Sequence, residues 1–394
     1  MLILDSRPGR CGKIEWLLTR RTLLSSGLGA LGAFTACSRP KAKGFSGYAF
    51  IANQEGGAVA AVDLEVFAVA RHIRVDGAPT GVVARRHNAR VYALTPANGT
   101  VHEIRAAKLT FTRKLNVAAS AISMRLAQDE NTLYVLCREP RSLVALALDP
   151  MRVDWQLGLP EDPYDFDISS DGALLAISHR QARGITFVDL ARRTAYPLVR
   201  ATGEIGLVRF QYSRQLIAAN LSERMLSIYH APSRRLIVHL PLAVRPDQLC
   251  FNADGGQLFV TGEGMDAVVV VYPSFTPEIG ETVLAGHTPG AMAASVAPGY
   301  LFVANPKSSN VSILDIETRR VVAVTPVGTE PAYIGITPDD QYALVLNQAS
   351  GDMAVIRIPN VTRAVNEQRR WKKGPLFMLI PVGSKPVSAA ILSV

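Results

Sequence analysis

The chain has 394 residues, of which 48% are hydrophobic and 19% charged, a balance typical of a globular protein with a large core. Its formal net charge is +9, but no long basic run interleaved with aromatic residues follows the first 37 residues, which argues against nucleic acid as a partner. The composition therefore favours a mildly basic protein of the cell envelope.

The N-terminal segment is predicted to be an export signal. Arg20 and Arg21 precede a 14-residue apolar stretch, Leu23 to Ala36, which is shorter than the roughly 20 residues that span a bilayer. The two arginines resemble a twin-arginine signal, and the four residues ending at Cys37 resemble a lipoprotein cleavage box. We expect residues 1–37 to be the signal, Cys37 to be lipidated, and residues 38–47 to be a linker. The protein would then be exported to the periplasm as a membrane-anchored lipoprotein.

A short apolar run recurs eight times after residue 47. The copies are Tyr48 to Asn53, Val91 to Thr95, Leu133 to Cys137, Leu174 to Ser178, Leu216 to Asn220, Leu258 to Gly262, Tyr300 to Asn305 and Tyr342 to Asn347. The proline of a Gly-x-x-Pro sequence, or its equivalent, recurs with spacings of 42, 42, 42, 41, 43, 42 and 55 residues. These positions are Pro79, Ala121, Pro163, Ile205, Pro246, Pro289, Pro331 and Pro386.

Each unit reads as four short strands, because runs rich in Val, Ile, Tyr and Phe are bounded by Asp, Gly, Asn and Pro. Four-stranded units of roughly 40 to 45 residues are typical of propeller blades. The first unit, from Tyr48, lacks an inner strand, and the last, from Pro386 to Val394, contains only an inner strand. The sequence therefore predicts an all-β fold: a single propeller over residues 48–394 with eight blades, closed by pairing of these two terminal segments.

The stretch from Tyr300 to Asp315, followed by Val321 to Val324 and the Gly-x-x-Pro ending at Pro331, resembles the YVTN-type β-propeller repeat. The resemblance covers nearly everything after residue 47, and it implies a fold rather than an activity. Members of that family are mostly seven-bladed, so seven blades is the alternative count. Eight blades resemble the haem-binding propeller of cytochrome cd1 nitrite reductase.

One unit carries a basic insertion between Ile358 and Leu379, which includes the run Arg369 to Lys373. The repeat order places it between a third and a fourth strand, on the face opposite the entrances to the inner strands. A solvated basic loop is the simplest interpretation, and contact with anionic lipid headgroups or a partner is the alternative. The two cysteines after the signal, Cys137 and Cys250, are expected to stay unpaired, because they lie three blades apart and a disulfide needs Cα atoms within roughly 7 Å.

A polar binding face is predicted around the loops that lead into the inner strands, where charged residues of both signs collect. Rims of inert propellers are also charged, and an exposed loop histidine is the ordinary interpretation of either candidate histidine. The candidate ligand-binding residues are Asp162, Asp165, His179, Arg180, Glu204, Arg245, His287, Glu330 and Lys385.

Three charged residues occupy one repeat position. The fourth residue after the anchor is small or neutral in most units, but it is Arg125, Asp167 and Arg209 in three consecutive units, spaced 42 and 42 residues apart. In a poorly solvated place, a charge without an oppositely charged partner is costly. We expect Asp167 to pair with Arg125, Arg209 or both at the inner wall, either as a structural cluster or, together with Asp165, as part of a ligand site.

Two classes of function remain open. No metal, nucleophile or haem-attachment motif occurs in the sequence, which favours a monomeric, non-catalytic propeller that binds an envelope protein or a polar or anionic small ligand, without metal or cofactor. The alternative is a cofactor-binding or hydrolytic propeller: haem-d1-like, quinoprotein-like or lactonase-like. That class would need several histidines or carboxylates converging at the channel mouth.

Overall fold

The computed structural model describes residues 44–361 and 374–393, which form eight antiparallel sheets, seven of four strands and one whose outer strand is split into two short strands. The predicted all-β propeller of eight blades is confirmed, and the seven-bladed alternative is wrong. Three 3-10 turns (Pro96–Asn98, Ala106–Lys108 and Pro306–Ser308) and the helical residues 358–361 complete the regular structure that is described. None of the helical segments described is long and apolar enough to cross a bilayer.

Every blade runs from an inner strand outward, and the blades are numbered here in the chain order of their second strands. The inner strands of blades 1 to 8 are Pro386–Ser393, Gly81–Arg85, Ser120–Leu126, Pro163–Ile168, Ile205–Gln211, Gln248–Phe251, Met292–Ala294 and Pro331–Ile336. The second strands are Gly47–Asn53, Arg90–Thr95, Thr132–Glu139, Leu174–His179, Gln215–Asn220, Leu258–Thr261, Tyr300–Asn305 and Tyr342–Asn347.

The outer half of each blade is built in the same order. The third strands are Ala58–Asp63, Thr100–Arg105, Ser142–Leu148, Gly184–Asp189, Met225–His230, Ala267–Tyr272, Asn310–Asp315 and Asp352–Arg357. The outer strands are Ala68–Arg74, Thr110–Asn116, Met151–Gly158, Thr194–Ala195 with Val199–Arg200, Arg235–Pro241, Glu278–Leu284, Arg320–Pro326 and Leu376–Pro381.

Blade 1 closes the ring with strands from both ends of the chain, as the sequence predicts. Its inner strand, Pro386–Ser393, pairs antiparallel with its second strand, Gly47–Asn53, so that Tyr48 lies opposite Leu392. The inner strand also contacts the inner strands of both neighbouring blades. No blade is left half-paired where the two ends meet, so the ring exposes no long unpaired edge there.

The hydrophobic core consists of eight clusters, one in each gap between neighbouring blades. Second and third strands supply most of it, because both of their faces meet another blade and both are therefore apolar. Outer strands are mostly exposed or half-buried. The packing thus makes each blade depend on its two neighbours.

The repeated asparagine and Gly-x-x-Pro meet each other at the end of the second strand. In blade 1, the side-chain amide of Asn53 donates to the carbonyl oxygen of Val382 at 2.7 Å. In blade 7, Asn305 donates in the same way to Ala285 at 3.3 Å. Gly383 has φ +127°, and a Cβ there would lie 2.6 Å from Nδ2 of Asn53. The glycine is thus needed because the asparagine of its own blade fills the space of a side chain.

The propeller has two faces, which we call upper and lower. The upper face carries the loops from each outer strand to the next inner strand and the loops between second and third strands. The lower face carries the other two loop types. The chain joins the propeller at the lower face, because Gly47 lies opposite Ser393 at the end of the inner strand. The insertion 362–373 lies outside the described residues, and its flanking strands, Asp352–Arg357 and Leu376–Pro381, place its two ends at the lower face.

Candidate functional site

The predicted ligand residues occupy the upper face and the top of the inner wall, spread over blades 4 to 8 and blade 1. Those that directly precede an inner strand sit in tight turns, and three of them adopt left-handed backbone conformations: Asp162 (φ 49°), Glu330 (φ 60°) and Lys385 (φ 53°).

A cleft of about 680 Å³ opens on the upper face between blades 3 and 4. Its charged and polar lining comes from the loop between the second and third strands of blade 3 and from the loop that leads into blade 4. The lining residues are Arg138, Glu139, Pro140, Arg141, Glu161, Asp162, Pro163 and Gln181. Two arginines and three acidic residues therefore face one space, and of the predicted ligand residues only Asp162 lines it.

The charged strip continues from the cleft towards blade 5 through Arg180. The Arg180 guanidinium lies 4.3 Å from the centre of the Tyr164 ring and 4.0 Å from the carboxylate of Glu204. The backbone N–H of Arg180 donates to the carbonyl oxygen of Asp162 at 3.1 Å. At the cleft itself, Arg141 lies 3.6 Å from the Glu161 carboxylate. The structure therefore brings Asp162, Arg180 and Glu204 together.

His179 is buried beneath this strip rather than exposed on it. It ends the second strand of blade 4, the position that asparagine holds in other blades, and its Nδ1–H donates to the carbonyl oxygen of Glu161 at 3.0 Å. Burial lowers the pKa of His179, so the ring favours its neutral form. His179 thus holds the loop that carries Glu161 and Asp162 in place.

Three of the remaining candidates have a charged partner close to their own blade, and Glu330 accepts from the backbone N–H of Gln348 through its carbonyl oxygen. His287 is exposed, and its Nδ1 lies 2.8 Å from the Asp266 carboxylate. Arg245 contacts Asp247 at 2.8 Å. Lys385 contacts Glu55 at 3.3 Å. These side chains belong to blades 6, 7 and 1, and the structure does not gather them with the strip on blades 3 to 5.

Four charged side chains form a cluster on the inner wall of blades 3, 4 and 5. Arg125 lies 3.7 Å from the Asp167 carboxylate and 3.5 Å from that of Asp165. Arg209 donates to Asp165 at 2.6 Å rather than to Asp167. Asp167 is therefore paired with Arg125, which holds the same repeat position in blade 3, and not with Arg209. Asp165 contacts both arginines and links them.

The two aspartates also bind the free edge of the next inner strand. The backbone N–H of Val208 donates to Asp165 at 3.1 Å, and that of Phe210 donates to Asp167 at 2.8 Å. Burial raises the pKa of Asp167 against the opposing effects of Arg125 and Arg209. Burial would lower the pKa of Arg209, but Asp165 and Asp167 outweigh it and raise this pKa. In the part of the chain that the structure describes, no further strand pairs with these inner strands on the channel side, and the cluster joins the three blades there.

A second charged network, which the sequence analysis missed, lies between blades 2 and 3 and draws one residue from each of the four strands of blade 2. The Glu103 side chain is 1% exposed and accepts from Arg90 at 2.9 Å and Arg113 at 3.0 Å. Arg85, 2% exposed, pairs with Asp149 of blade 3. The one signal of this network in the sequence was an acidic residue in the middle of a third strand.

Within the described residues, no three His, Cys, Asp or Glu side chains converge as a metal site would require.

Cys137 and Cys250 are both free thiols, on blades 3 and 6, as expected. Burial raises the pKa of Cys250 to about 12 and that of Cys137 to about 11, so both stay protonated at neutral pH.

No known protein family matches this sequence, and no curated protein matches it either. Solved structures show the same fold. Dihydro-heme d1 dehydrogenase NirN in complex with DHE matches with a TM-score of 0.70 at 12% identity, covering 87% of this chain and 75% of that one. Kuenenia stuttgartiensis hydrazine synthase matches at 0.58 and 16% identity, covering 71% and 95%. The Cps50 (Swd1) β-propeller domain of Myceliophteria thermophila matches at 0.57 and 13% identity, covering 71% and 96%. At these identities the likeness shows the propeller fold alone.

Proposed function

We propose that the protein is a non-catalytic binding propeller of the cell envelope, which holds a partner protein or a polar ligand in the upper-face cleft between blades 3 and 4. A twin-arginine signal and a lipid on Cys37 would place it in the periplasm, anchored to a membrane. Membership of the YVTN-type repeat family is also part of this proposal, because a propeller fold by itself does not distinguish one repeat family from another.

The observation that carries the proposal is the state of the charges at the cleft. The contacts Arg141–Glu161 and Arg180–Glu204 are long, at 3.6 and 4.0 Å, and both involve exposed side chains. Exposed pairs of this kind are each worth at most about 1 kcal/mol. A ligand with charges of both signs can therefore replace them at little cost, while the rigid blade strands beneath keep the loops in place.

Site-specific photo-crosslinking in cells tests the proposal. A benzoyl-phenylalanine at Gln181, an exposed residue of the cleft, should give a discrete adduct with a partner, and the same group at Arg152, an exposed residue at the lower end of blade 3, should not. A small ligand would instead appear as a bound mass in native mass spectrometry. Either signal should disappear in the double variant Arg138→Glu, Arg141→Glu.

Two results would contradict the proposal. One is the same set of adducts from Gln181 and Arg152, which would show that contact is not specific to the cleft. The other is the absence of both an adduct and a bound mass in protein purified from its native membrane.

A cofactor-binding propeller is the second candidate, because Arg125 and Arg209 are 33% and 25% exposed at the channel wall, where they could meet the carboxylates of a tetrapyrrole. The donor set fits poorly. None of the eight inner strands, all of which are described, carries a histidine, and both arginines already hold aspartates. An absorption spectrum with a Soret band, or a stoichiometric metal in the purified protein, would nevertheless make this candidate the function.

A further inference from the structure

The lower face exposes two aromatic side chains between blades 5 and 6. Phe275 is 99% exposed at the turn between the third and outer strands of blade 6, and Tyr212 is 54% exposed at the turn after the inner strand of blade 5. Both line one open cavity of about 460 Å³. They therefore form one apolar site and are not isolated surface residues.

Phe275 stands clear of the fold, whereas Tyr212 lies against the turn of blade 6 and donates its hydroxyl to the carbonyl oxygen of Asp254. Phe275 and Tyr212 each have φ 55°, a left-handed conformation that the equivalent turns of other blades share, as at Arg319 (φ 56°) and Glu130 (φ 55°). The fold gains no burial from the Phe275 ring, although an aromatic side chain commonly buries 150–250 Å². An exposed apolar ring beside a second exposed ring therefore indicates a contact surface.

Basic side chains border this aromatic site. Arg214 and His230 line the same cavity, and Arg235 is exposed in the adjacent turn of blade 5. Two acidic residues of blade 6 lie beside the site: Asp254, whose carbonyl oxygen accepts from the Tyr212 hydroxyl, and Glu278, three residues after Phe275. An aromatic tip flanked by arginines is the chemistry that binds the interface of an anionic bilayer, where rings sit among headgroups and arginines meet phosphates.

A lipid on Cys37 would bring the same face towards a membrane. Gly44 joins the propeller at the lower face of blade 1. Cys37 is seven residues earlier, so an extended tether would reach no further than about 25 Å. In an eight-membered ring, blade 5 stands opposite blade 1. A tether at one side and an aromatic site at the other would make two separate attachments.

We propose that the lower face at blades 5 and 6 is a membrane-contact surface that inserts Phe275 and Tyr212 into the interface of an anionic bilayer. This inference rests on the proposed lipid anchor at Cys37 for its orientation. Together, the two attachments hold the upper-face cleft away from the bilayer, open to its ligand.

Quenching by dibrominated lipid tests the contact directly. The full chain with Cys37→Ser is mixed with vesicles of phosphatidylglycerol and phosphatidylethanolamine in which part of the lipid is dibrominated. A Phe275→Trp variant should lose more fluorescence than the parent. A Leu284→Trp variant should not, since Leu284 is 75% exposed at the upper end of the outer strand of the same blade. Phosphatidylcholine vesicles should give weaker quenching at position 275.

A matched pair of charge variants supplies the second readout. Phe275→Asp should lower the fraction that floats with anionic vesicles about tenfold, since a buried Phe side chain contributes that much or more to partitioning. Leu284→Asp should leave it unchanged. Equal quenching at positions 275 and 284 would overturn the proposal, whatever the total binding. A concentration-dependent dimer that Phe275→Asp abolishes, without quenching, would assign the surface to a second copy of this chain.

The two proposals can fail separately. Quenching at position 275 reports on the lower face alone, and crosslinking at Gln181 reports on the upper face alone. A protein that is quenched at position 275 but forms no adduct at Gln181 would retain the membrane contact and lose the proposed binding function.

Discussion

Replacing Asp165 by alanine should be the most damaging single change on the inner wall. Its carboxylate accepts from Arg209 at 2.6 Å and from the backbone N–H of Val208 at 3.1 Å, and it lies 3.5 Å from Arg125. Its side chain is 10% exposed. Truncation therefore leaves one arginine without its short contact and one strand edge without its acceptor, in a place that water reaches poorly.

The magnitude follows from these contacts. Breaking a buried ion pair by removing one partner costs about 3–5 kcal/mol. Arg209 remains 25% exposed and can turn partly to water, and Asp167 lies close enough to attract it. We therefore expect Asp165→Ala to lower the free energy of unfolding by about 2–3 kcal/mol. Asp165→Asn keeps an acceptor for Val208 and should cost about half as much.

Equilibrium unfolding in guanidinium chloride, followed by circular dichroism, provides the measurement, with Asp167→Ala as the comparison. Asp167 accepts from the backbone N–H of Phe210 at 2.8 Å, but it lies 3.7 Å from Arg125 and burial disfavours its charge, so its removal should cost about 1 kcal/mol. An Asp165→Ala loss below that of Asp167→Ala would refute the assignment of Asp165 as the residue that links both arginines.

Four further expectations follow. Deleting residues 386–394 should abolish cooperative unfolding or lower the thermal midpoint severely, because it removes the inner strand that closes the ring; a truncation that melts like the parent would contradict the closure. Gly383→Ala should cost about 1–3 kcal/mol, because its φ of +127° and the nearby Asn53 amide leave no room for a Cβ, and an unchanged denaturation midpoint would argue against that contact. Asp167→Asn should gain stability relative to the parent as the pH rises from about 4 to 7. The protonated Asp167 carboxyl stabilises the parent at low pH, and this stabilisation is lost as the pH rises through the raised pKa of Asp167 in the folded state; a constant difference in stability would count against a buried carboxylate. Fatty-acid labelling in cells should disappear in Cys37→Ser, and equal labelling of parent and variant would end the lipoprotein interpretation.

The number of blades and the closure of the ring could be predicted from the sequence, because apolar runs and turn residues within each blade set them. Each blade repeats an apolar second strand, and a Gly-x-x-Pro or its equivalent recurs at 41 to 43 residues in all but the last unit, with turn residues between the strands. The fragments at the two ends could only complete each other. The structure adds the reason for one feature of the repeat: asparagine and glycine recur together because the side chain of Asn53 or Asn305 occupies the space beside Gly383 or Gly286.

The candidate site was predictable only in outline. Counting from the anchors placed Asp162, Arg180 and Glu204 on one face, and the structure brings them together. The same counting treated His179 as a loop residue, whereas it is buried at a strand end and supports the loop. A one-residue difference in where a strand ends moves a side chain from the rim to the interior, and local sequence does not fix strand ends that finely.

Sequence by itself therefore determined the strands, the eight blades and the closure, because these follow from apolar patterns and turn residues that act within one blade. Only the tertiary structure decided which charges meet. Equivalent positions in neighbouring blades are 42 residues apart, yet Asp165 binds Val208 and Arg209, which are 43 and 44 residues further along the chain. The tilt and stagger of one blade against the next set those contacts, and they arise from side-chain packing in the gap, which no spacing along the chain records.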